Sequence, residues 1–332
     1  MATEVLIDFF KNSEKDSFFS FQPFFVNFFS NKSPKKIKLE YNQIIDEKLY
    51  QLKDSIVTNF YLNKYFNSVK AFEFKAVKKL IDVLQNKDNN EDNIATHLLL
   101  LHLSKSKLTQ KQFEAYFNQI DTIQVIPCFK EIFSFEEFFE KLKKNRIFLN
   151  AIENILKTEA NLEPMLETVR QTKLVHFKSK IYNLNSFAGL QKIYINSSRI
   201  EQLRSKMTNL ETENQATILK FYLIKLIINH LVLMSILASK NDINVSSEYL
   251  AIQPKEYDLT KIETLAEKLI FKVSIDWHKS VESPNLNLKY LRCFYENLME
   301  GGELKEFDFE KSGVVVEMNA PCLFGIEQNF VK

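Results

Sequence analysis

Apolar positions recur at helical spacing along most of this chain. Ile44, Leu49, Leu52, Ile56, Phe60 and Leu62 form one stripe and predict a long helix from about Tyr41. A second helix is predicted over 72–84, followed by a polar break at 88–93. Asn93 is placed to cap the helix that carries Leu98 and Leu103. Thr109/Gln112 and Ser134/Glu137 both have capping-box spacing, a hydroxyl at the N-cap and a side-chain acceptor three residues on. The helical pattern runs from Ser134 to about 156, and resumes over 162–181 after a break near Asn161. The segment 191–196 reads equally as a short strand or a helical turn. The longest predicted helix spans 211–239 and ends at Asn241-Asp242-Ile243-Asn244. The first 30 residues read as two short helices meeting near Gln22-Pro23, because proline fits a helix only in its first turn.

The pattern changes after about residue 246. A helix over 258–269 precedes Phe271, Val273, Ile275 and Trp277, which alternate with Lys272, Ser274, Asp276 and His278. This period of two predicts a strand with one buried face, with Asp276 and His278 sharing the other. A helix over 286–300 closes at Gly301, and strands over 303–310 and 314–318 flank a hairpin loop, Lys311-Ser312-Gly313. The expected fold is mainly α: an irregular helical array over 1–246, with a regular solenoid as a variant, and a small C-terminal α+β module with a β-hairpin over 247–332. The module's order of elements resembles winged-helix topology less one helix, an analogy of order only.

The apolar run 218–238 is long enough to span a bilayer at about 1.5 Å per residue. Lys220, Lys225, Asn229 and His230 interrupt it, and Lys225 and Asn229 lie four apart on one face. A buried core helix with a narrow polar stripe is the expectation, and a membrane-spanning helix the alternative.

Glycine narrows the chemistry. Gly189 is the only one in the first 300 residues, with Gly301, Gly302, Gly313 and Gly325 behind it. No GxxxxGK[ST] or GxGxxG loop can be drawn from that supply, and no GxSxG, HExxH or EF-hand pattern is present. His97 and His102 sit about 140° apart on a helix, poorly placed to share a metal. With 44 basic and 42 acidic residues there is no global field to attract nucleic acid. The densest basic run, 141–146, follows Glu136, Glu137 and Glu140, and intrahelical pairing is expected there. Glu136/Glu140 and Glu296/Glu300 are acidic pairs at i, i+4 that read as solvated faces. Cys128, Cys293 and Cys322 show no CxxC, and the N-terminus has no leader pattern, so an intracellular, cytoplasmic or nuclear location is expected.

These readings converge on a non-catalytic helical scaffold or subunit of a multiprotein assembly, with protein partners and no cofactor or metal. Nine of its 30 phenylalanines fall in the first 30 residues, and the Phe excess, with the abundant Lys, Asn and Ile, reads chiefly as genomic compositional drift. The expected partner contacts are Phe18, Phe21, Phe24, Phe25 and Phe28 at the N-terminus, and Val314, Val316 and Met318 in the hairpin. A membrane-associated protein using 218–238, and an enzyme whose site is assembled from distant residues, are the alternatives; nucleic-acid binding is disfavoured.

Overall fold

The computed structural model describes residues 2–13, 18–29, 37–41, 49–63, 71–105, 110–127, 132–163, 166–181, 184–245, 259–300 and 305–317. It is mainly helical, with small sheets. The chain forms two compact units. The first comprises 1–125 with 178–182 and 241–244; the second comprises 126–177, 183–240 and 245–332.

In the first unit, the helices Leu49–Leu62 and Glu91–Lys105 pack against each other and bury Ile56, Phe60 and the run Leu98 to Leu101. The N-terminal phenylalanines join this core. Pro23 is the third residue of the helix Phe21–Phe29, where its missing N–H removes no intrahelical bond. Phe21 meets Phe25 at 5.6 Å and Phe72 at 5.3 Å between ring centroids. A two-residue antiparallel ladder joins Phe18–Phe19 to Phe72–Glu73. The helix expected to start at Asn93 starts at Glu91, because Asn90 rather than Asn93 supplies the cap: its Oδ1 accepts from Asn93 N at 2.9 Å. Asn244 belongs to this unit and accepts from the buried Asn59 amide at 2.8 Å.

The second unit is built around the helix Thr212–Lys240. Its most apolar 18-residue window is 94% buried. Helices Arg146–Thr158, Leu166–Gln171, Ser197–Ser205, Leu259–Phe271 and Leu288–Glu300 surround it, with the strand Ser186–Gly189. A helix buried on nearly all sides is apolar nearly all round, which accounts for the length of the run.

The strand Ser186–Gly189 belongs to a small mixed sheet. Lys192–Asn196 pairs parallel with Lys173–Lys178 and antiparallel with Ser186–Gly189. The helix expected over 162–181 therefore stops at Gln171, and Leu174-Val175-His176-Phe177 extends instead, a run suited to a half-buried pleat. The ambiguous 191–196 segment is a strand. Leu190 and Gln191 turn the hairpin, both with positive φ, 52° and 57°.

The C-terminal elements differ from expectation in two places. No strand forms over 271–277: the helix continues to Phe271, Lys272 takes φ 63°, and only Ile275 bridges, antiparallel, to Val316. Asp276 caps the short helix Trp277–Ser280 by accepting from Lys279 N at 3.0 Å, and this local bond outcompetes strand pairing. The expected hairpin is also replaced among the described residues. Asp308 caps a helical turn, Phe309–Ser312, and Gly313 closes it at φ 64°. A Cβ at Gly313 would collide with the Asn285 carbonyl oxygen, so glycine is required there. Residues 315–317 lie alongside 274–276, with Glu317 N donating to Ser274 O and Asp276 N to Val315 O. The winged-helix order of elements does not survive these changes.

Candidate functional site

Four of the eight apolar residues expected to meet a partner are core residues. Phe21, Phe24 and Phe25 are buried, and Phe28 is half-buried, stacked on Phe24 at 5.7 Å. Phe18 alone projects, at 61% exposure. Val314 is buried, Val316 half-buried at the bridge to Ile275, and Met318 lies outside the described residues. Asp276 and His278 do not share a strand face: the carboxylate is held by Lys279, and His278 lies against the Tyr222 ring at 5.5 Å. Burial pulls His97, His176, His230 and His278 down to about 4, so all four are neutral imidazoles at pH 7. Among the described residues no group of three His, Cys, Asp or Glu is placed to hold a metal.

The second unit carries an open pocket of about 800 Å³ rimmed by charged side chains. One wall is the corner between the helices Phe135–Lys144 and Arg146–Thr158. Ser134 opens the first helix by accepting from Glu137 N at 3.3 Å, as its capping-box spacing predicts. The helix buries Phe135, Phe138, Phe139 and Leu142. That leaves Lys141 and Lys144 exposed in its last turn, where cations suit the helix dipole. Asn145 makes the corner. Its Oδ1 accepts from Ile147 N at 2.9 Å and its Nδ2 donates to Leu298 O at 2.8 Å. That buried side chain thus ties the basic corner to the helix Leu288–Glu300, which supplies Tyr295, Glu296, Met299 and Glu300 to the opposite wall. Arg146 projects just after the corner, and Lys220 enters from the central helix.

The basic run does not neutralise itself as expected. Lys143 is the exception: it pairs with Glu140 at 2.6 Å and donates to the Arg170 and Thr172 carbonyls. Among the described residues the side chains of Lys141, Lys144 and Arg146 make no ion pair or hydrogen bond, and neither do those of Glu296 and Glu300. Lys220 is half-buried over two rings, 4.8 Å from the Tyr295 centroid and 5.2 Å from Phe133. Burial and the nearby Lys141 charge lower its pKa, with Glu213 opposing. Burial pushes the Tyr295 hydroxyl up to about 12. Four cationic heads therefore face a shared space, one of them desolvated and repelled by its neighbour. An anion entering this space would relieve that repulsion. No known protein family, curated protein or solved structure matches this chain.

A second polar assembly lies inside the same unit. Lys225 Nζ donates to Ile275 O at 2.8 Å and pairs with Glu317 at 2.9 Å and Glu267 at 3.6 Å. Glu267 is fully buried; its Oε1 accepts from Ile275 N and its Oε2 lies 2.8 Å from Ser274 Oγ. Ser274 Oγ also lies 2.7 Å from Glu317 Oε2. Burial raises the Glu267 pKa, with Lys225 opposing. This assembly clasps residue 317 to the central helix.

The 141–146 run and the Glu296/Glu300 pair are both visible as charge patterns in the sequence. Their convergence is not, since some 150 residues separate them and the Asn145–Leu298 bond that joins their helices has no sequence signature.

Proposed function

We propose that this chain is a non-catalytic helical scaffold, a subunit of a protein assembly, and that its second unit captures an acidic segment of a protein partner in the basic pocket. The observation that carries this reading is the group Lys141, Lys144, Arg146 and Lys220, which converge on one pocket while the first three have no ion-pair partner among the described residues. Unpaired cations of this kind raise encounter rates with acidic partners and set the docking register. The aromatic and thioether surface of Tyr295 and Met299 adds apolar contact area beside the charges. The buried state of Phe21, Phe24 and Phe25 moves the proposed contact surface away from the N-terminus.

The test is fluorescence anisotropy with a labelled degenerate nonapeptide pool carrying one fixed central Asp. Salt-sensitive binding is expected, weakened at least tenfold by the triple variant Lys141→Gln/Lys144→Gln/Arg146→Gln. Equal binding by the native and triple-variant proteins would exclude the pocket. Tight, variant-sensitive binding of a single-stranded oligonucleotide in place of the peptides would replace the protein partner with nucleic acid.

A further inference from the structure

Glu296 and Glu300 fit badly in a pocket built only to attract acid. They sit at i, i+4 on the helix Leu288–Glu300 and so share one face. Both line the same pocket as the four cations. Next door, the buried Lys143 and the exposed Glu140 pair at 2.6 Å on one helix. Here neither carboxylate reaches ion-pairing distance of a cation among the described residues. The pocket is bipolar, with a positive wall on the 135–146 corner and a negative one on the facing helix.

We infer that the pocket recognises a mixed-charge peptide segment, with an acidic side chain against the Lys141–Lys144–Arg146 wall and a Lys or Arg against Glu296 and Glu300. This rests on the protein-partner reading above and narrows it. Size supports a short spacing. A volume of about 800 Å³ corresponds to an edge of roughly 9 Å, or one to three residues of extended chain at about 3.3 Å each. Tyr295 and Met299 lie on the helix that carries the carboxylates. They offer the apolar surface that the aliphatic stem of a bound Lys or Arg covers. A purely acidic segment gains from one wall and is repelled by the other. A mixed segment satisfies both, and the unmatched wall then selects against simpler polyanions.

The experiment uses the full chain and four labelled nonapeptide pools, each with a fixed Asp. One pool has Asp alone, and the others add a fixed Lys at the first, second or third position after it. One mixed pool should bind at least fivefold more tightly than Asp alone. Glu296→Gln/Glu300→Gln should erase that margin while Asp-alone binding stays the same or tightens. Glu296→Lys/Glu300→Lys should reverse the preference. These side chains are exposed and unpaired, so melting temperature should not move and folding does not confound the result. If Asp alone matches the best mixed pool and the glutamate variants leave that ratio at one, the bipolar inference falls and the acidic-segment reading stands. If no Asp-containing pool binds, both fall together.

Discussion

Lys220 and Lys225 stand five residues apart on the same helix, and their surroundings give them opposite tasks. Lys225 points inward, where Glu317, Glu267 and the Ile275 carbonyl surround its ammonium. Lys220 points toward the pocket, where it meets ring faces and the repulsion of Lys141. Five residues turn a helix by about 140°, enough to separate interior from rim. The same residue type thus serves cohesion at one position and, in the proposed function, recognition at the other. The distinction extends across the second unit: buried polar groups should govern stability, and exposed unpaired ones should govern binding.

Acid should strike the buried class hardest. His97, His176, His230 and His278 are held near 4 in the folded chain, against 6.5 for the free side chain. Between those values the unfolded chain takes up protons that the folded chain refuses. The stability their neutrality confers is therefore complete above pH 6.5 and lost as pH falls toward 4, at up to about 1.4 kcal/mol per pH unit for each histidine. Unfolding free energies from urea titrations at pH 7 to 4.5 should fall steeply, by several kcal/mol in sum; a flat profile would show that the histidines are accessible to protons when folded.

Substitution of the two lysines tests the comparison directly. Lys225→Met leaves the Glu317 carboxylate without its partner in a mostly buried setting, and should cost about 3–5 kcal/mol in urea unfolding. Lys220→Met removes a repelled charge and should change stability by less than about 1 kcal/mol. Equal costs at the two positions would erase the distinction between them. A smaller effect, confined to binding, is expected in the pocket wall. Lys141→Gln/Lys144→Gln/Arg146→Gln should lose at least about tenfold in acidic-peptide affinity, or about 1.4 kcal/mol, with a shallower salt dependence and an unchanged urea midpoint.

How far this division could be read from the chain depends on sequence distance. The interruptions of the 218–238 run marked Lys225 and Asn229 as a polar stripe on a core helix, and the structure buries Lys225. Its partners Glu267 and Glu317 lie 42 and 92 residues away, where only tertiary packing can bring them. Local signals fared best: Ser134 caps its helix, Pro23 stays in a first turn, and Asn241 ends the long helix with φ 47°. Patterns that local bonds can overrule misled. The alternation at 271–278 resembles a strand, yet Asp276 turns the chain into a helical cap. Gly313 marks a turn in either reading; it is the Asp308 cap that makes that turn helical.

The finest test of the comparison lies inside the clasp, at Glu267. Ser274 Oγ lies within hydrogen-bonding distance of both Glu267 Oε2 and Glu317 Oε2, yet a hydroxyl carries one proton. A protonated carboxyl would supply the second. Glu317 is partly exposed and tightly paired to Lys225, while Glu267 is fully buried and stands farther from the ammonium. Such a proton would sit on Glu267, whose pKa burial moves upward, with Lys225 opposing. The clasp then contains one cation, one anion and one neutral acid. Glu267→Gln reproduces that arrangement, with an amide oxygen for the Ile275 N–H and an amide N–H for Ser274. It should cost less than about 1 kcal/mol, where Glu317→Gln, which strips Lys225 of its anion, should approach the cost of Lys225→Met. If Glu267→Gln proves as damaging as Lys225→Met, Glu267 is ionised in the folded protein. The interior of the second unit would then hold two anions against one cation, and the contrast with the unpaired charges of the pocket would lose its physical basis.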